Sequence, residues 1–189
     1  MRIGRPAALG AAAIVIALAA DAAYWQAAPQ SAKPAGPGDG ADIVLSADDY
    51  DGRDAIWIKR PSAGTDSWGI RGTGRPEAGA MWFDKFPGKS GLYRVELGAV
   101  LERDGNPEYR VLAGGRILGQ GQYGYACGDL LCTRDKSTCP DRAAYLDLGV
   151  QRLTHDERIE VWGRATYPCP GHGAYTRWYE IRFSPAEER

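Results

Sequence analysis

Leu92-Tyr-Arg-Val-Glu-Leu-Gly-Ala-Val-Leu-Glu102 decides the fold class. Tyr93, Val95, Leu97 and Ala99 fall on one face of an extended chain, and Arg94 and Glu96 fall on the other. That period of two belongs to a half-buried strand and not to a helix. The dipeptide Asp104-Gly105 follows and predicts a hairpin. Glu108 to Leu112 is then the returning strand, Gly114-Gly115 turns again, and Ile117 to Gly119 is a short partner.

The same period runs outward in both directions. Ile43 to Leu45, Ala55 to Lys59 and Met81 to Phe86 come before. Tyr145 to Leu148 buries Leu146 and Leu148, Arg158 to Arg164 buries Ile159 and Val161, and Tyr175 to Phe183 is the last strand. Helical spacing of apolar residues is nearly absent after residue 41. Eight or nine short strands bounded by Gly, Pro and Asp predict an all-β fold, an antiparallel β-sandwich of the jelly-roll type, with barrel closure as the alternative. Trp57, Tyr93, Trp162 and Tyr179 are expected to fill its core, and Trp178 suits either core or surface.

The N-terminal region has a different composition. Two arginines within Met1 to Arg5, the uncharged apolar run Ala7 to Ala20 and small-residue triplets after it have the layout of a secretory signal. Residues 1–22 therefore read as a signal peptide or, uncleaved, as an N-terminal anchor, which would be the only link to a membrane. Residues 23–41, rich in Ala, Pro and Gly, read as a flexible linker. Residues 42–185 form the sandwich domain, expected in the periplasm, at the cell surface or in the medium. A formal net charge of −1 without clustered Lys or Arg argues against nucleic acid.

Export turns Cys127, Cys132, Cys139 and Cys169 into expected disulfides. Three pairings are possible, and Cys127–Cys132 with Cys139–Cys169 is the preferred one, closing a short loop and tying the insertion to the loop before the last strand. Zinc held by these thiols and His172 is the competing reading, but Cys127-x4-Cys132-x6-Cys139 lacks the close-set spacing of structural zinc sites.

Two stretches carry a family resemblance. Gly91 to Leu97 with Asp104-Gly105 and Tyr109 to Gly115, then Leu146 to Gly149 with Asp156 to Val161, resemble paired strands of galactose-binding-like jelly rolls, the fold of many carbohydrate-binding modules. The resemblance implies glycan binding. It also implies a structural calcium at the matching acidic positions, Asp48, Asp49 and Glu180, a hard cation that takes six to eight oxygens. Such modules often use an asparagine for sugar hydroxyls; the one Asn here, Asn106, lies in the expected central turn, so other polar groups must serve.

Aromatics outside the expected core are the candidate ligand contacts, because a flat ring beside hydrogen-bond donors suits the apolar face of a pyranose. They are Trp68, Trp82, Tyr123, Tyr125, Tyr167 and Tyr175. Catalysis has little support: His155 and His172 read as surface residues, Asp66-Ser67 lacks a nucleophile elbow, and no two carboxylates stand out as a glycosidase pair. The sequence favours a noncatalytic glycan-binding module. A structural domain meeting an envelope protein is the alternative, and a small secreted hydrolase is the third reading.

Overall fold

The computed structural model describes residues 41–133 and 135–187. The expected signal or anchor, and the linker up to residue 40, lie outside the described residues. No helix among the described residues is long and apolar enough to cross a membrane.

Two antiparallel sheets face each other. The first has the order β3 (Trp57–Lys59), β4 (Trp68–Ile70), β13 (Trp178–Pro185), β6 (Gly91–Leu101) and β9 (Arg142–Leu153), with β1 (Ile43–Ser46) paired to the other half of β13. The second has the order β2 (Gly52–Arg53), β5 (Ala78–Phe83), β10 (Ile159–Arg164), β7 (Glu108–Ala113) and β8 (Arg116–Gln122). A separate hairpin, β11 (Thr166–Cys169) with β12 (His172–Ala174), stands at one end. Alternation fills the space between the sheets. Val95 and Leu97 of β6 meet Ile181 and Phe183 of β13 and, from the second sheet, Met81, Val111, Ile159 and Val161, all fully buried. Trp57 and Tyr93 join this core as expected, and so does Trp178.

Three expectations are corrected. Asp104-Gly105 does not close a hairpin, because β6 and β7 lie in opposite sheets and the link between them crosses the end of the sandwich. Gly105 lacks the positive φ of a tight hairpin turn. Its missing side chain serves close packing instead, since a Cβ there would stand 2.7 Å from Thr166 Oγ1 and 2.9 Å from Ala174 Cβ. The true two-residue hairpin joins β7 to β8 through Gly114 and Gly115, whose φ values of 54° and 80° are those of a type I′ turn.

Trp162 and Tyr179 leave the core. On β10, Ile159 and Val161 point inward, so Trp162 points out, half-buried beneath the Arg110 guanidinium at 4.5 Å. On β13, a bulge between Trp178 and Glu180 breaks the alternation counted back from Ile181. Trp178 turns inward, and Tyr179 lies outside over Gly98, where a Cβ would be 2.7 Å from its ring.

The disulfides are Cys127–Cys139 and Cys132–Cys169, with Cα atoms 6.2 and 5.3 Å apart, rather than the preferred sequential pairing. Leu131 N donates to Arg103 O at 2.8 Å, which carries Cys132 across to β11. Asp135 then turns the chain back by accepting from Ser137 N at 2.9 Å, and Cys139 returns to Cys127. All four thiols are bridged, which removes the zinc reading.

Candidate functional site

Five connections meet at the end of the sandwich where β6 stops and β13 begins: the β3–β4 loop, the β6–β7 link, the cysteine insertion, the β11–β12 turn and the segment before β13. They enclose an open cleft of about 270 Å³ lined by Arg60, Glu102, Arg103, Asp104, Lys136, Asp141, His172, Tyr175 and Arg177. No strand alternation demands this charge. It comes from Glu102-Arg103-Asp104, which follows directly on the apolar β6, and from side chains that the loops bring over it.

A buried ion network forms the floor. Arg177 donates to Glu102 Oε2 at 2.7 Å and to Asp141 Oδ2 at 3.1 Å. Arg103 reaches Asp141 Oδ1 at 3.5 Å and donates from Nε to Thr133 O at 2.8 Å. Ser62 Oγ also donates to Asp141, at 2.8 Å, and Lys136 Nζ lies 3.3 Å away. Glu102, Arg103 and Arg177 are only 1%, 4% and 6% exposed, so these charges survive burial by being paired and multiply hydrogen-bonded. Burial raises the Glu102 carboxyl above its ordinary range against the pull of Arg177. At Asp141 burial pushes the same way, but Arg177, Ser62 and Lys136 together outweigh it and hold the carboxyl below the ordinary range.

The walls carry the groups a ligand would meet. His172 Nδ1 lies 2.7 Å from Asp104 Oδ2, an arrangement that leaves Nε2 as the free ring nitrogen. Tyr175 hangs its backbone N–H on Glu102 Oε1 at 2.8 Å, and its ring lies beneath the Arg60 guanidinium at 3.9 Å. Burial raises the Tyr175 phenol above its ordinary range, so it is a donor at neutral pH. Two glycines make room: a Cβ on Gly69 would stand 2.7 Å from the Arg177 stem, and one on Gly72 would stand 2.9 Å from the Tyr175 ring.

No protein-family model matches the chain, and neither does any curated protein sequence. Solved structures match its shape. The insecticidal crystal protein Cry2Aa superposes with a TM-score of 0.53 at 15% identity over 79% of this chain, which spans 22% of that protein. The C-terminal family 6 carbohydrate-binding module of LamC, a marine laminarinase from Zobellia galactanivorans, gives 0.51 at 14% identity, over 76% of this chain and 99% of the module. The family 6 module CsCBM6-3 from Clostridium stercorarium, in complex with cellobiose, gives 0.50 at 13% identity, over 76% and 94%. What the chain shares with these modules is the antiparallel jelly-roll sandwich. At such identities the likeness is one of fold, and the residues of the cleft must speak for themselves.

Within this jelly roll the six aromatic candidates scatter. Tyr167 and Tyr175 do meet, edge to face with ring centroids 6.1 Å apart, and Tyr167 Oη accepts from Thr73 N at 3.1 Å. Tyr125 is half-buried and bridges the backbone at Glu102, behind the cleft floor. Tyr123 is 1% exposed and packs on Tyr109 inside the core, out of reach of any ligand. Trp68 is pinned elsewhere, edge-on to Tyr50 with its Nε1 donating to Asp48 at 2.7 Å. Trp82 faces outward from the second sheet, laid over Gly52 and capped by Arg158 at 4.4 Å.

Asp48 is occupied by Trp68 and by Lys59 at 2.7 Å, while Glu180 accepts from Tyr145 and from Arg182 at 2.8 Å. Asp49 is exposed. Among the described residues no three His, Cys, Asp or Glu side chains converge on a point that could hold a metal ion. His172, read from the sequence as a surface residue, is a cleft wall; His155 stays at the surface, its Nδ1 2.8 Å from Gly88 O. Sequence reasoning missed Arg60, Glu102, Asp141 and Arg177, because an isolated charge in a loop gives no sign of which others it will meet.

Proposed function

We propose that the domain is an exported, noncatalytic glycan-binding module that takes its ligand at the end cleft. The observation that carries this reading is the cleft itself, in a fold that solved carbohydrate-binding modules share. It combines the Tyr175 phenol, the Arg60 guanidinium stacked on it and the His172 imidazole, set over a floor of buried ion pairs and beside an insertion that two disulfides fasten. Sugar hydroxyls reward such fixed donors and acceptors, since a preformed site loses little entropy on binding. The signal-like N-terminus and the two disulfides support an extracytoplasmic location.

Calorimetric titration with a panel of soluble oligosaccharides tests the reading. Tyr175→Ala and His172→Gln should each weaken binding about tenfold or more in variants whose melts show a folded domain, and no oligosaccharide should be cleaved. A wild-type protein that binds none of the panel but copurifies with an envelope protein would replace this function with the interaction reading.

A further inference from the structure

Arg60 is the one cation of the cleft whose charge meets no carboxylate. Glu102 is paired by Arg177, Asp104 by His172, and Asp141 by Arg103, Arg177 and Lys136 together. The Arg60 guanidinium makes no hydrogen bond or ion pair among the described residues; it rests on the face of Tyr175, 3.9 Å from the ring centroid, in a half-buried position. Behind it, Arg177 Nε is buried without a hydrogen-bond partner. Leaving His172 aside, four cations, Arg60, Arg103, Lys136 and Arg177, face three carboxylates, Glu102, Asp104 and Asp141, so the cleft lining has an excess of positive charge.

Resting on the glycan-binding reading, we propose that the cleft selects a sugar unit carrying a single negative charge, with Arg60 as its ion-pair partner. A planar guanidinium stacked on an aromatic ring keeps its donor edge free and pre-oriented, the geometry that suits two oxygens of a carboxylate or of a sulfate ester. Tyr175, holding Arg60 from below, is a positioning residue as well as a wall of the site. A neutral sugar would leave the half-buried guanidinium without its counter-charge, so the charge supplies discrimination as well as affinity.

Binding to tetragalacturonate, to its fully methyl-esterified form and to a sulfated galactotetraose separates the alternatives. The expected result is tighter binding of tetragalacturonate than of its ester, by about tenfold or more, with the gap narrowing as salt rises. Arg60→Gln should erase that gap, whatever it does to binding of the ester, and Arg60→Lys should restore part of it; melting curves of both variants confirm that they fold. Binding of the sulfated probe but not of tetragalacturonate would assign the charge to sulfate. Equal binding of acid and ester, or a gap that survives Arg60→Gln, overturns the proposal and leaves glycan binding standing. Absence of binding to every probe, and to the neutral panel, overturns both.

Discussion

Substituting Asp141 by Asn keeps the shape of the side chain and removes one negative charge from between two guanidiniums that water barely reaches. The side chains of Asp141, Arg103 and Arg177 are 5%, 5% and 8% exposed. Arg177 would keep Glu102, but Arg103 would be left with the Thr133 carbonyl as its acceptor and no counter-charge. Removing one partner of a buried ion pair costs about 3–5 kcal/mol, because the remaining charge is stranded. The retained amide oxygen and the exposed Lys136 place this variant near the lower end, about 3 kcal/mol. Urea denaturation should show the midpoint falling while the slope stays constant. Combining Asp141→Asn with Arg103→Met should recover part of the loss, since no charge is then stranded; a coupling of about 0.5–3 kcal/mol is expected from such a cycle. A cost below about 1 kcal/mol for Asp141→Asn, with strict additivity in the double variant, is the behaviour of a solvated surface pair and would refute the reasoning.

The same carboxylate sets an acid limb. Because its folded-state pKa is depressed, Asp141 contributes stability that is fully present above its unfolded value and is lost as the pH falls through the folded one. Wild-type stability should therefore drop below about pH 4, and the difference from Asp141→Asn should shrink over that range in pH-dependent melts. Glu102 has the opposite sign: its raised pKa favours the folded state at low pH and weakens it as the pH rises. Glu102→Gln should consequently lose more stability at pH 4 than at pH 7. For the tryptophans, Trp57→Ala should cost about 3–5 kcal/mol through lost burial and a cavity, whereas Trp162→Ala should cost well under half of that. Equal costs would return Trp162 to the core.

Much of the scaffold was readable from alternation alone. The inward set of β6, the Gly114-Gly115 turn and the Ile159/Val161 pair all follow from a period of two. Trp162 was readable too, since its parity on β10 is opposite to that of Val161; size alone had placed it inside. Tyr179 was not, because a one-residue bulge reverses every parity argument upstream of it and leaves no mark in composition. Asp104-Gly105 misled for a related reason: the dipeptide signals a change of direction, but whether the chain returns in the same sheet or crosses to the other depends on what packs against the glycine. The cleft was least legible. Its charges come from loops far apart in sequence, as in the pairing of Ser62 with Asp141 or of Asp104 with His172. The aromatic pair Tyr167 and Tyr175 was found because both flank one short loop.

The two disulfides interleave, and this bears on how the protein is made. A chain that appears N-terminus first presents Cys127 and Cys132 together, then Cys139, and Cys169 only after another turn of synthesis. Joining thiols in order of appearance gives Cys127–Cys132, the bridge the folded domain does not contain. An oxidant alone therefore favours a trapped isomer. The native pattern calls for delayed oxidation until β11 has docked, or for a partner thiol that reshuffles bridges by exchange. Refolding of the reduced protein should therefore give the native pairing in higher yield with a disulfide isomerase or a thiol exchange buffer than with oxidant alone.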